Sequence, residues 1–316
     1  MIELVNVLIF TSHTMTYQHA RTVTRTLFFL LFLFAPLLNI FRFDLTLGHF
    51  IFFGQQWTLG LDSVLYGEAG AIQATEIIFL KVFLPAIAFI SISLILIYKY
   101  GRIYCGWLCP HFSVVEMINQ VMLKQLNRVT LWEKPSKQNN SIFARVVVAA
   151  VSVFMAFIWA LGLLSYLMPP IPLLIDLVNF EVAFGSTIFL CVATCIFSFD
   201  FIFARHVFCK YGCALGLFQS LIWMANKQAM AVKFDRSRAK ACRDCDKACD
   251  KACPMRLPTR NMKRAKFTCT QCAQCISACQ KVQKNNPEGT LLNWVNGPEA
   301  IDIDRPAVQY KPKNNL

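Results

Sequence analysis

The stretch Cys269-Thr-Gln-Cys-Ala-Gln-Cys-Ile-Ser-Ala-Cys279 decides how the soluble part of this chain is read. Its spacing, C-x2-C-x2-C-x3-C, is that of a [4Fe–4S] ferredoxin run. Three thiolates in one tight loop cap three corners of a cubane, and the fourth, a helical turn later, serves a neighbouring cluster. A zinc knuckle uses two C-x2-C pairs with a longer gap instead. Working back from Cys269, a second run reads Cys242-Arg-Asp-Cys-Asp-Lys-Ala-Cys-Asp-Lys-Ala-Cys-Pro254. Asp246, Lys247 and Ala248 make its middle gap three residues where two are usual. Ferredoxin ligand crossing assigns Cys242, Cys245, Cys249 and Cys279 to one cluster, and Cys269, Cys272, Cys275 and Cys253 to the other. The cofactor expectation is therefore two [4Fe–4S] clusters in a reducing compartment.

Further back lie two matched pairs, Cys105/Cys109 in YCGWLCPHF and Cys209/Cys213 in FCKYGCALGLFQS. Each is C-x3-C, so on a helix both thiols share a face. Together they make a candidate third redox or metal site, occupied by a third cluster, by copper or by a dithiol couple. Lys99, Arg102, Arg205 and Lys210 lie nearby in sequence, and cations lower thiol pKa values. His111 and His206 are candidate ligands, quinone contacts or plain packing residues. Glu116 is a candidate proton relay or a solvated charge. Cys191 and Cys195 read as small residues of a buried helix. The catalytic residues are left unknown.

Composition supplies the rest. The chain is 56% apolar, with 28 Phe and only 16% charged residues, whereas soluble domains average about 45–50% apolar and roughly 25% charged. The apolar residues gather in four runs: Thr26 to Phe41, Ile77 to Tyr98, Phe143 to Met168 and Val182 to Phe203. At ~1.5 Å per residue each crosses or nearly crosses a ~30 Å hydrocarbon core. The expectation is a mostly α membrane protein of about four transmembrane helices, carrying a small α+β ferredoxin-like domain. Its parts are an N-terminal segment (1–21), the membrane domain (22–234), the two-cluster domain (235–295) and a tail (296–316). Lys81 and Glu76 sit near the outer end of the second run, where Lys snorkels to the interface.

Of the 31 Lys and Arg, 20 follow Ala204. Others precede the first run (Arg21, Arg25) or lie between the second and third (Lys99, Arg102, Lys124, Arg128, Lys134, Lys137, Arg145). Only Arg42 lies between the first and second, and the segment from Pro169 to Glu181 has none. The positive-inside rule puts both termini in the cytoplasm of a cell whose inner membrane the chain spans several times. The net charge of +13 then faces an anionic leaflet rather than nucleic acid. Met1 to Phe10 lacks a positive n-region and is not a signal peptide; Met15, just before the basic YQHAR, is an alternative translation start. The segment after Cys279 reads as loop, with Pro306 to Leu316 a loose terminus. No G-x-G-x-x-G or C-x2-C-H occurs, so neither a Rossmann nucleotide nor covalent haem is expected.

These motifs resemble the membrane polyferredoxins of the NapH/NosR type, and most of all the cbb3-oxidase maturation group called FixG, RdxA or CcoG. The resemblance is carried by FDLTLGHFIFFG (Phe43 to Gly54), GRIYCGWLCPHFSVVE (Gly101 to Glu116), FCKYGCALGLFQS (Phe208 to Ser220) and CISACQKVQKNNPEGTLLNW (Cys275 to Trp294). It implies electron transfer, and in the maturation branch copper reduction during oxidase assembly. A redox partner protein or quinone, together with membrane lipid, is the implied company. Two departures stand out: Ala214 replaces the usual Pro after the second membrane motif, and the chain stops at Leu316 where the maturation group continues into a β-sandwich. The competing class is a zinc-stabilised or cluster-stabilised assembly or binding protein without redox turnover of its own.

Overall fold

A computed structural model of the protein describes residues 17–57, 70–126, 141–242, 245–301 and 303. Met1 to Phe10, Met15, the cations Arg128, Lys134 and Lys137, and the tail Pro306 to Leu316 lie outside the described residues. The chain is mostly helical and divides into two compact units, each assembled from separate stretches. One contains the chain up to Thr22, Leu94–Trp107 and everything from Lys210; the other contains Val23–Ser93 and Leu108–Cys209.

Three helices are long and apolar enough to cross a membrane among the described residues: α2 (Ala71–Tyr100), α5 (Ile142–Ser165) and α7 (Phe184–Ala204). They coincide with the second, third and fourth apolar runs. The first run behaves differently. Helix α1 (Tyr17–Phe34) covers it only as far as Phe34, and the chain then turns. Pro36 explains the stop, because its missing N–H and ring cannot continue the helix. The remaining residues enter a three-stranded antiparallel meander, β1 (Phe41–Asp44), β2 (His49–Phe52) and β3 (Gln55–Trp57), in which Phe41 faces Phe52 and Phe50 faces Trp57. FDLTLGHFIFFG is therefore a hairpin. Asp44 fixes its turn by accepting from the Thr46 amide and hydroxyl and from Leu47, while Arg42 donates to its other oxygen.

In this apolar unit α5 packs against α7 and against α4 (Pro110–Leu126). Val115, Ile118 and Met122 of α4 meet Val148, Ala156 and Trp159 of α5, with Phe29 and Phe32 of α1 alongside. The segment between α5 and α7 is not a simple loop: it holds the short apolar helix α6 (Pro170–Asn179), closed by Phe180 in the left-handed region. Cys191 and Cys195 lie on the exposed face of α7 rather than in a packed interior. Glu116 is 4% exposed and ion-paired with Arg25, so it is not a solvated charge.

The cysteine-bearing unit begins with the end of α2. Gly101 stops that helix at φ +65°, and a Cβ there would sit 2.5 Å from the Trp223 ring. Then come α3 (Ile103–Trp107), α8 (Ala214–Met224), β4 (Ala231–Phe234), α9 (Ala248–Ala252), α10 (Gln274–Val282), β5 (Leu292–Val295) and α11 (Pro298–Ile301). Strands β4 and β5 pair antiparallel, α9 packs on α10, and α10 on β5. Met255, Leu257, Leu291 and Leu292 are almost fully buried, giving the cysteine loops a small apolar core that composition alone did not suggest.

Candidate metal centres

The structure brings eight cysteines into two groups of four. Cys242, Cys245, Cys249 and Cys279 line one cleft together with Phe234, Val282 and Leu292. Cys242 ends a 3-10 turn, Cys249 lies in the first turn of α9, and Cys279 comes across from α10. The extra residue of this run is absorbed locally: Asp246 and Lys247 both take left-handed conformations (φ 45° and 56°) and face solvent. Cys249 still lines the cleft. Burial, and then the neighbouring Cys245, Cys279 and Cys249, push the Cys242 thiol up to about 11.

In the second group Cys269, Cys272 and Cys275 surround one loop, and Cys253 joins them from the end of α9. All four are buried. Burial raises the Cys269 and Cys275 thiols, and the facing cysteines raise them further. Cys253 is pushed up to about 11, with burial the largest cause and the Leu257 amide opposing it. Gln271 and Ala273 are left-handed (φ 56° each), which curls the loop around its own thiols. Three amides point at sulfur: Leu257 N to Cys253, Gln271 N to Cys269 and Leu291 N to Cys279, each 3.4 Å.

This chemistry fits an iron–sulfur cubane. Burial raises the Cys242, Cys249, Cys253, Cys269 and Cys275 thiols, and cationic iron would reverse that cost. Backbone N–H groups aimed at sulfur are the usual outer support of thiolate clusters. Among the described residues no three His, Cys, Asp or Glu side chains close on a point that would hold a single metal ion.

The membrane-side pairs are divided between the units: Cys105 and Cys213 in one, Cys109 and Cys209 in the other. Cys105 is buried on α3, within 3.9 Å of the Arg102 guanidinium and 3.5 Å of Gln219 Oε1, and it feels the charge of Cys213. Its thiol lies above the ordinary value because burial outweighs Arg102. The expectation that nearby cations lower this thiol's pKa is thus overturned at Cys105, where desolvation outweighs Arg102. Arg205, grouped with the thiols by sequence, donates instead to Asn119 Oδ1 at 3.1 Å.

In the other unit His111 Nδ1 stands 3.7 Å from Cys209 Sγ, and Asp200 Oδ2 accepts from His111 Nε2 at 2.7 Å. Trp159, Phe201 and Phe208 box the imidazole. Sequence reasoning did not single out Asp200. Its signal was a lone carboxylate at the basic end of an apolar run.

One contact ties α3 to the ferredoxin loop within the cysteine-bearing unit. A Cβ on Gly106 would lie 2.0 Å from the Thr270 carbonyl oxygen and 3.4 Å from the Cys272 amide. Trp107 Nε1 donates to Gln271 O at 2.9 Å, Arg21 Nε to Gly106 O at 2.7 Å and Gln18 Nε2 to Cys272 O at 3.0 Å. Gln271 is fully buried and reaches Met230 O, while Trp294 donates to its side-chain oxygen.

Comparison with known proteins points the same way. A family described as 4Fe-4S binding domain matches residues 82–128, which include Cys105 and Cys109. The chain is 26% identical to an uncharacterized protein of Methanocaldococcus jannaschii over 84% of this chain and 93% of that one. It is 24% identical to the putative electron transport protein YccM of Escherichia coli, over 74% of this chain and 64% of that protein. It is 25% identical to the ferredoxin-type protein NapH of Haemophilus influenzae, over 58% and 62%. The match thus spans less than two thirds of YccM and of NapH. No solved structure matches. Residues 82–128 match a 4Fe-4S binding domain, and the chain is similar to a putative electron transport protein and to a ferredoxin-type protein.

Proposed function

We propose that the protein is a membrane-bound electron carrier with two [4Fe–4S] clusters in a ferredoxin-like arrangement. Cys242, Cys245, Cys249 and Cys279 hold one, and Cys253, Cys269, Cys272 and Cys275 the other. The single observation that carries this reading is the crossing of Cys253 and Cys279 into the group built by the opposite run. When bound, such clusters pass single electrons with little change of structure. The residues supply a dry, amide-lined seat and leave the Cys242 side partly open, where a soluble partner can approach.

Four crossing helices with both termini in the cytoplasm remain the reading of orientation. Helix α1, 18 residues long, is ~27 Å at 1.5 Å per residue, and its two arginines are held by Gly106 O and Glu116. The division into 1–21, 22–234, 235–295 and 296–316 follows composition. Cys105, Cys109, Cys209 and Cys213 are kept as candidate ligands of a third redox or metal site on the strength of their duplicated motif alone. The 4Fe–4S domain match over residues 82–128 favours a cluster there over copper. Electrons exchange with the quinone pool or a membrane partner; copper reduction in oxidase maturation rests on resemblance alone.

Anaerobically purified protein should be brown and contain about eight iron atoms for the two ferredoxin-type sites, or about twelve with the third. Stoichiometric zinc without acid-labile sulfide would instead decide for a zinc-stabilised binding module.

A further inference from the structure

Of the two ferredoxin-type groups, the Cys253, Cys269, Cys272 and Cys275 set is buried throughout. The other set reaches the surface: Cys242 and Cys245 are partly exposed, and Val282, which lines the same cleft, is 47% exposed. Three exposed lysines border this opening. Lys240 lies in the 3-10 turn that ends at Cys242. Lys281 and Lys284 flank Val282 and Gln283, both of which line the cleft. One hydrogen bond draws the two sides together, from Gln283 Nε2 to Ala241 O at 2.9 Å. It sets the Lys240 turn against the Lys281–Lys284 end of α10. The acidic side chains of the same segments are already engaged: Asp246 with Lys251, Glu288 with Arg238, and Asp250 with Arg260 and Thr259. Lys240, Lys281 and Lys284 enter no ion pair among the described residues. The opening thus has a cationic rim around an apolar spot.

We propose, resting on the iron–sulfur reading above, that Lys240, Lys281 and Lys284 form the docking rim for a soluble one-electron carrier protein whose own redox centre is ringed by carboxylates. Complementary charge steers such a carrier to the rim and raises its encounter rate. Val282 supplies the apolar contact inside the polar ring, the usual layout of a protein interface. One electron then passes between the carrier's centre and the cluster, the one oxidised as the other is reduced, with no proton or group transferred. An anionic lipid headgroup would satisfy the lysines but brings no electron to the exposed sulfurs, so the carrier is the occupant that uses both features.

The test uses the full-length, anaerobically purified protein and two reduced probes: an acidic plant-type ferredoxin, and photoreduced deazariboflavin, a small uncharged donor. Stopped-flow bleaching of the cluster absorbance gives each rate, with iron and sulfide measured in parallel. The ferredoxin rate should fall as salt rises, because salt screens exposed charges. Lys240→Glu with Lys281→Glu should slow it by about tenfold or more at low salt, with the difference closing at high salt. The deazariboflavin rate and the iron content should stay as in wild type. If that pair loses iron, Lys281→Gln with Lys284→Gln carries the test, with a smaller loss in the same direction. An equal or absent ferredoxin reaction in wild type and charge variants, with deazariboflavin still bleaching the cluster, sinks the docking rim alone. A lysine dependence that vanishes in bilayers containing phosphatidylserine assigns the rim to the leaflet and sinks it too. A wild-type protein that neither probe bleaches sinks the iron–sulfur reading and the rim with it.

Discussion

The two units bury polar groups by different means. In the apolar unit the buried charges find partners in protein: Glu116 in Arg25, Asp44 in Arg42, Asp200 in His111. Around them Val115, Ile118, Ala156 and Phe201 pack at close to zero exposure. In the cysteine-bearing unit eight sulfurs lie in two groups, and burial pushes the Cys242, Cys249, Cys253, Cys269 and Cys275 thiols away from ionisation. The first arrangement is complete in the polypeptide. On the iron–sulfur reading, the second would draw much of its folding energy from its metal, whereas the first is built from its own side chains.

The largest expected effect breaks the comparison at its centre. Stripping iron with a chelator under oxidising conditions should expose residues 235–295 to proteolysis while α5 and α7 stay protected in detergent. Small metal-organised domains lose most of their folding energy with the metal. Limited proteolysis read by mass spectrometry checks this. Equal loss of protection in both units would show that the apolar unit depends on metal too.

The next effect lies in the apolar unit. Glu116→Gln leaves Arg25 with a neutral partner in a nearly dry site. Breaking a buried pair by removing one charge costs about 3–5 kcal/mol. Denaturant unfolding in detergent should show a loss of that order with iron content unchanged. A loss under about 1 kcal/mol would mean the pair is open to water.

A smaller effect is pH-dependent. Burial pushes the Asp44 carboxyl up, but the Thr46 hydroxyl, Arg42 and the amides of Thr46 and Leu47 outweigh it and hold the group below its ordinary 3.8. Because the folded value is depressed, the carboxylate's contribution is full above the unfolded pKa of about 3.9 and fades as pH falls through the folded one. Asp44→Asn should cost about 1–3 kcal/mol at neutral pH, the range for orphaned buried donors. It should also flatten the stability profile below about pH 4. An Asn variant with the wild-type acid profile would assign that slope to another group.

Much of this was legible in the sequence, because apolar runs and cysteine spacing are local signals. Runs two to four became α2, α5 and α7 within a few residues. The first run extends past its helix because hydropathy ignores Pro36, which follows the end of α1 at Phe34. The cysteine groups were readable because thiolate spacing maps directly onto loop geometry. What stayed hidden is long-range. Arg21 reads as a topology signal, yet its side chain is 2% exposed and holds Gly106 O. Gly106, Gln219 and Gln271 carry no mark until folding places Thr270, Cys105 and Trp107 beside them.

The smallest effect sharpens the contrast inside the cysteine-bearing unit. Lys247 is exposed and left-handed (φ 56°, ψ 36°). That conformation costs a side-chain-bearing residue roughly 1–2 kcal/mol. Glycine removes the penalty but gives back about 0.5–1 kcal/mol through the freedom of the unfolded chain. Lys247→Gly should therefore stabilise the iron-loaded protein by about 1 kcal/mol or less, with all iron retained, because the bulge points to solvent and not at the cleft. Ala273→Gly relieves the same strain (φ 56°, ψ 10°), but Ala273 is 2% exposed between Cys272 and Cys275. There the lost methyl contacts cost ~1 kcal/mol or more, so the net change should be zero or negative. Thermal denaturation of the two variants side by side reads the difference. If Lys247→Gly loses iron, the extra residue of the Cys242–Cys253 run helps to place Cys249 and is not a solvent-facing insertion.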